Sequence, residues 1–93
     1  MDFRSAFGQV LRDARKSVSM SQEALAEAAG LHNNTISKME RGELSPSVDS
    51  VVLVCAALGY EPWQLFLEAG VLAGEFEVGL VPENHDVQPR PKR

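Results

Sequence analysis

Apolar residues in the first half of the chain recur every three or four positions, which is the spacing of one face of an α-helix. The repeat is carried by Phe3, Phe7, Val10, Leu11 and Ala14, then by Leu25, Ala26 and Ala29, and then by Ile36 and Met39. The pattern predicts a first helix over residues 2–17 and a second that begins after Ser21, a good N-cap. A third helix is predicted to begin near His32 or Asn33 and to end at Gly42.

The pattern in the second half predicts two further helices. Helix four should cover residues 48–58, with an N-cap at Ser45 or Ser47, and Gly59 should end it. Pro62 suits the first turn of a fifth helix. The buried face of helix four should hold Val51, Val54, Cys55 and Leu58. Five amphipathic segments predict an all-α domain over residues 1–70.

After Gly70 the pattern changes. Residues 75–81 alternate between polar and apolar side chains, which is typical of a strand. Because a lone strand is unstable, it must add to the edge of another chain or lie on the helices. We therefore treat residues 71–81 as a C-terminal extension and a candidate dimerisation segment. Residues 82–93 contain three prolines and several charges, and we expect a disordered tail.

Residues 21–42 have the layout of a helix-turn-helix, with two short helices meeting at Gly30, where a left-handed residue is needed. Four side chains of the second helix share one exposed face and are predicted to contact bases: Asn33, Asn34, Ser37 and Lys38. Asparagine can pair with adenine and lysine with guanine in the major groove. The alternative is an ordinary solvated face. Adjacent asparagines lower helix propensity, however, which favours a functional role.

Charge bears on this interpretation. The formal net charge is −4, which by itself disfavours binding to nucleic acid. The distribution is uneven, since residues 1–20 hold four basic and two acidic side chains, and residues 47–93 hold three basic and seven acidic ones. Net charge limits long-range steering rather than local contacts.

The sequence offers little support for a metal site, an active site or a membrane segment. Cys55 is the single cysteine, and His32 and His85 are isolated, so we expect no disulfide, metal or cofactor. No spacing suggests a catalytic triad, and we expect no enzymatic activity. The longest apolar run has eight residues, and no signal peptide is evident. We expect a cytoplasmic protein without a membrane segment.

Several short motifs together resemble the phage-repressor-like (Xre/Cro-type) helix-turn-helix regulators. They are Phe7-Gly8, Leu11-Arg12, Ala14-Arg15, Met20-Ser21-Gln22, Leu25-Ala26, Gly30-Leu31, Ile36-Ser37, Glu40-Arg41-Gly42, Ala57-Leu58-Gly59 and Leu65. The resemblance covers residues 7–66. It implies a five-helix lambda-repressor-like domain that binds operators as a two-fold dimer. Two positions depart from the family pattern. Ser19 stands where the family often has glycine, and Glu43 stands where a basic residue would help phosphate binding.

The resemblance also implies roles for single residues. Gln22 should lie against a phosphate and could brace the first recognition residue, and Arg15 should pair with Glu40. We further expect phosphate contacts from Arg12, His32, Thr35, Arg41, Ser45 and Ser47. For Arg41 the alternative is a partner for the helix dipole. The fifth helix is rich in aromatic and aliphatic residues, which are enriched at interfaces. The alternative for these residues is packing in the core, where we expect Leu65. We expect a dimer interface from Trp63, Phe66, Leu67, Leu72, Phe76 and Val78.

These observations predict a sequence-specific DNA-binding transcriptional regulator that acts as a homodimer on a palindromic operator and controls its own gene. The alternative is an antitoxin or adaptor that binds a partner protein through its C-terminal region. A salt-dependent shift of operator DNA would favour the first, and stable co-purification with a partner, without DNA binding, would favour the second.

Overall fold

The computed structural model describes residues 1–74, and these form five α-helices. The helices are α1 (Phe3–Ser17), α2 (Gln22–Ala29), α3 (Asn33–Glu40), α4 (Val48–Leu58) and α5 (Pro62–Ala73). The predicted all-α, five-helix fold is confirmed. The strand predicted for residues 75–81 and the tail predicted for residues 82–93 lie outside the described residues.

Local signals set the ends of the first three helices. Asp2 accepts a hydrogen bond from the Ser5 N–H at 2.8 Å and caps α1, and Ser21 accepts one from the Ala24 N–H at 2.9 Å and caps α2. Gly30 follows α2 in the left-handed region, with φ of 73°. This glycine allows the sharp turn into α3, as the sequence predicted.

The turn between α1 and α2 contains a strained residue. Ser19 has φ of 60°, and it is the only residue other than glycine with a positive φ among residues 1–74. At this position the family that the sequence resembles often has glycine. A side chain with a Cβ atom is disfavoured in this conformation, so Ser19 is a local cost to the fold.

Ser47, and not Ser45, is the N-cap of α4, because its hydroxyl accepts a hydrogen bond from the Ser50 N–H at 3.0 Å. Gly59, with φ of 81°, ends α4. Pro62 stands in the first turn of α5, where its missing N–H is harmless.

Helix α5 continues past Gly70, the predicted end of the helix-turn-helix domain, to Ala73. Gly70 is buried inside the helix and does not end it. Residues 71–73 continue the helix, and Gly74, with φ of 84°, provides the left-handed residue that ends it. The C-terminal extension therefore begins within α5.

The core lies where α1 and α5 pack over the helix-turn-helix and α4. Its largest fully buried side chains are Phe7, Leu11, Leu25, Ile36, Met39, Val51, Val54, Cys55 and Leu65. Ile36 and Met39 belong to α3, so the core itself holds this helix in place. The opposite face of α3 is left for solvent.

Gly8 lets α1 cross very close to the end of α3. A Cβ atom at this position would lie 2.3 Å from the Met39 carbonyl oxygen and 2.6 Å from that of Glu40. Backbone atoms cannot yield as a flexible side chain can, so only glycine fits here. This close approach places Arg15 of α1 near Glu40.

Within the described residues, no single helix is long and apolar enough to cross a membrane. Helices α4 and α5 together reach that length and composition, but they meet at a bend of 107°.

Candidate nucleic-acid interface

Helix α3 divides its side chains between the core and solvent. Ile36 and Met39 are buried, whereas Asn33, Asn34 and Lys38 are exposed. Ser37 is half-buried beside them. The structure therefore brings the four predicted base-contacting residues to one side of α3, with Ser37 the least accessible of them.

His32 and Thr35 flank that side. His32 is exposed at the N-cap of α3 and makes no side-chain capping hydrogen bond. Thr35 is half-buried. The first N–H groups of an α-helix give its start a partial positive charge, and His32 and Thr35 lie at this end of α3.

An ion pair ties α3 to α1. Arg15 donates from Nε to Glu40 Oε2 at 2.6 Å and from Nη2 to Oε1 at 3.0 Å. The two side chains are 10% and 3% exposed. The hydrogen bonds to Glu40 raise the pKa of Arg15. Because both side chains are largely buried from solvent, each charge is compensated by the other.

Two further hydrogen bonds complete this cluster. Gln22 Nε2 donates to Glu40 Oε1 at 2.9 Å, and Arg15 Nη1 donates to the Met20 carbonyl at 2.8 Å. Glu40 therefore joins the end of α3 to α1 and to the start of α2. The resemblance implied that Gln22 could brace a recognition residue. In the structure the Gln22 side chain donates to the Glu40 carboxylate instead. The spacing of residues in the sequence does not reveal this partner.

Arg41 forms a second, exposed cluster at the end of α3. It pairs with Glu43, with Nε and Oε2 2.9 Å apart, and its Nη1 donates to the Ser37 hydroxyl. The hydrogen bond from Arg41 lowers the pKa of Glu43. The sequence analysis identified Glu43 as an acidic residue where a basic one would help phosphate binding, but it did not predict the ion pair with Arg41.

The remaining predicted phosphate contacts are Arg12, Ser45 and Ser47. Arg12 and Ser45 are exposed, and Arg12 shares a cleft with Glu40, Gln9 and Lys16. The Ser47 hydroxyl serves the cap of α4 and also bonds the Ser50 hydroxyl at 3.0 Å. Sequence reasoning missed Ser50, a buried polar residue, although its spacing of three from Ser47 is a recognisable capping signal.

Most of the sequence is similar to known proteins. Residues 11–62 match the family described as Helix-turn-helix, and these are more than half of the chain. Control protein C.BamHI of Bacillus amyloliquefaciens is 43% identical over 65 residues, which cover 69% of this chain and 80% of that protein. The chain belongs to the helix-turn-helix family. It is an Xre-type DNA-binding transcriptional regulator.

Solved structures of similar regulators share the fold. The clp gene regulator ClgR from Corynebacterium glutamicum has a TM-score of 0.76 at 30% identity, over 80% of this chain and 79% of that chain. The restriction-modification controller protein C.AhdI from Aeromonas hydrophila has a TM-score of 0.65 at 36% identity, over 66% of this chain and 92% of that chain.

This helix-turn-helix regulator also exposes apolar side chains on its last helix. Trp63, Leu67 and Leu72 of α5 are 62%, 39% and 41% exposed. Phe66, predicted for the same interface, is half-buried instead, because its ring packs 6.0 Å from that of Phe3 and 5.8 Å from that of Phe7. Much of its surface is therefore used inside the domain. Phe76 and Val78 lie outside the described residues.

Helix α4 adds an apolar surface that the sequence prediction did not include. Val48, Val52 and Leu53 are exposed on its outer side. Their spacing could have indicated this face, but the unbroken apolar run of α4 conceals which residues point outward.

Proposed function

We propose that this regulator binds a palindromic operator as a homodimer, in the cytoplasm, and controls transcription of its own gene. The observation that carries the proposal is the exposed side of α3, which offers two amides and an ammonium group while Ile36 and Met39 fix the helix from behind. Two related proteins are named as a control protein and a restriction-modification controller, which supports a role in regulating a small gene circuit.

In the proposed complex α3 enters the major groove. Asn33 and Asn34 meet base edges near its start, and Ser37 and Lys38 follow one turn later. Phosphates on either side are held by six residues of the predicted set: Arg12, Gln22, His32, Thr35, Ser45 and Ser47. The seventh, Arg41, is already paired with Glu43. These phosphate contacts set the register on DNA, and the base contacts supply sequence preference.

Dimerisation is part of the proposal because one domain of this size covers about one half-site. The net charge of −4 provides little non-specific attraction, so two recognition helices are needed for tight binding. The exposed side chains Trp63, Leu67 and Leu72 support an interface at α5.

Footprinting of the full chain on the DNA upstream of its own gene tests the proposal. We expect two protected half-sites related by two-fold symmetry, with centres about 34 Å apart. A duplex with both half-sites scrambled is the control. Equal affinity for both duplexes would exclude sequence-specific binding, and stable co-purification with a partner protein would then favour the antitoxin or adaptor alternative.

A further inference from the structure

Glu43 is paired with the guanidinium group of Arg41, the residue that directly follows α3. Arg41 donates from Nε to Glu43 Oε2 at 2.9 Å and from Nη2 to Oε1 at 3.2 Å. Its third nitrogen, Nη1, donates to the Ser37 hydroxyl. Each guanidinium nitrogen therefore already has a partner within the chain, and the group lies along α3 beside a predicted base-contacting residue.

The backbone holds Glu43 in this place. Gly42, with φ of 73°, turns the chain at the end of α3, and the Glu43 N–H donates to the Lys38 carbonyl at 2.9 Å. The hydrogen bond and charge of Arg41, together with the charge of Lys38, lower the pKa of Glu43. An ionised carboxylate is thus held near Lys38 of α3 and near Arg41, which follows this helix.

Stability does not account for this arrangement. The Arg41 and Glu43 side chains are 51% and 54% exposed, and ion pairs so open to solvent contribute little to folding. A carboxylate at the C-terminal end of a helix also opposes the helix dipole. A DNA phosphate, by contrast, needs the same guanidinium nitrogens that Glu43 already fills.

We propose that Glu43 is a specificity-determining residue of the DNA-binding site. It holds Arg41 along α3 against Ser37 and so withholds this guanidinium from sequence-independent phosphate contacts. Random DNA must break the pair to gain Arg41, whereas a matched site is bound through the base edges and leaves the pair intact. This inference rests on the proposed function, because it concerns the selectivity of the same site.

The test compares two duplexes of about 30 base pairs, one selected from a random library by the wild-type protein and one a scrambled version of it. Binding is measured by fluorescence anisotropy of the full chain between about 50 and 200 mM salt. The variants are Glu43→Gln, Arg41→Met and the double substitution. Glu68→Gln is the matched control, because it removes one exposed carboxylate from α5, away from α3.

Glu43→Gln should bind the scrambled duplex roughly fivefold more tightly and the selected duplex less than about twofold more tightly. The slope of log affinity against log salt for the scrambled duplex should steepen by about 0.9 per protomer, the value for one added phosphate contact. Both effects should vanish in the Arg41→Met background, and Glu68→Gln should leave the ratio of the two affinities unchanged.

Equal tightening of both duplexes, no change in either, or the same gain without Arg41 would each overturn the inference. A wild-type protein that discriminates between the duplexes, together with an unchanged ratio in Glu43→Gln, would overturn this inference alone. A wild-type protein that binds both duplexes equally would overturn the proposed function as well.

Discussion

At the scale of single residues, Arg15 shows how the fold accommodates a buried charge. Its guanidinium lies at the edge of the core with only 10% of the side chain exposed, and Glu40 lies opposite it. Substitution of one of these two residues leaves the charge of the other buried and unpaired. Substitution of both residues leaves no buried charge. The Arg15–Glu40 pair is therefore part of the structure that holds the helix-turn-helix together, and not an exposed surface ion pair.

We expect Arg15→Met and Glu40→Met each to lower the free energy of unfolding by about 3 kcal/mol, because each leaves an uncompensated buried charge. The double variant should lose clearly less than the sum, as measured by urea unfolding. The exposed pair Arg41→Met and Glu43→Met is the matched control and should be close to additive. Strict additivity for Arg15 and Glu40 would contradict the expected coupling.

Ser19 gives a second prediction at this scale. Ser19→Gly should raise the free energy of unfolding by about 0.5–1 kcal/mol, since relief of the left-handed strain exceeds the entropy that glycine adds to the unfolded chain. Thermal unfolding measures the change. Ser45→Gly, at an exposed position without a positive φ, is the control and should be neutral or destabilising. A loss of stability in Ser19→Gly would refute the strain argument.

At the scale of helices, the contact between α1 and α3 depends on Gly8. Gly8→Ala should lower the free energy of unfolding by about 1–3 kcal/mol, despite the better helix propensity of alanine, because the new Cβ atom would overlap backbone carbonyls of α3. Gln9→Ala, on the exposed side of the same helix, is the control and should be close to neutral. An equally stable Gly8→Ala variant in chemical unfolding would show that the helices can separate easily.

The outer side of α3 carries the prediction for base recognition. Asn34→Ala and Lys38→Ala should each weaken binding to the operator by about 1–3 kcal/mol and relax discrimination at one base pair. Alanine favours helix formation over asparagine, so weaker binding by Asn34→Ala would not reflect a less stable helix. Anisotropy titrations against single-base operator variants provide the measurement. Equal losses on operator and random DNA would indicate backbone contacts only.

At the scale of the whole molecule, the α5 surface should decide the assembly. Trp63→Lys combined with Leu67→Lys should raise the dimer dissociation constant more than about tenfold, because buried aromatic side chains dominate interface energies. Sedimentation at micromolar concentration measures this, and Val18→Lys, at an exposed apolar site in the turn after α1, is the control. A wild-type chain that stays monomeric yet binds one half-site tightly would exclude the proposed dimer.

The contribution of residues 75–93 can be separated in the same experiment. A chain that ends at Gly74 keeps the complete α5, since Gly74 is the residue that ends this helix. If it dimerises as well as the full chain, the predicted strand contributes nothing and the α5 interface stands. A marked loss of dimer would assign the interface to the C-terminal extension.

The sequence by itself determined the elements of this fold and its family. Spacing of apolar residues located the five helices, serine marked the N-caps of α2 and α4, and Gly30 and Gly59 marked the ends of these two helices, because each of these signals acts over a few neighbouring residues. The exposed side of α3 followed from the same periodicity. The short motifs along the sequence were specific enough for the family to be identified.

Tertiary structure alone decided how these elements meet. The partner of Gln22, the close approach at Gly8 and the use of Phe66 inside the domain depend on residues far apart in sequence. Local patterns cannot encode such distances, because they arise only when helices pack. The same holds for the exposed apolar side of α4, since an unbroken apolar run does not show which side the core will cover.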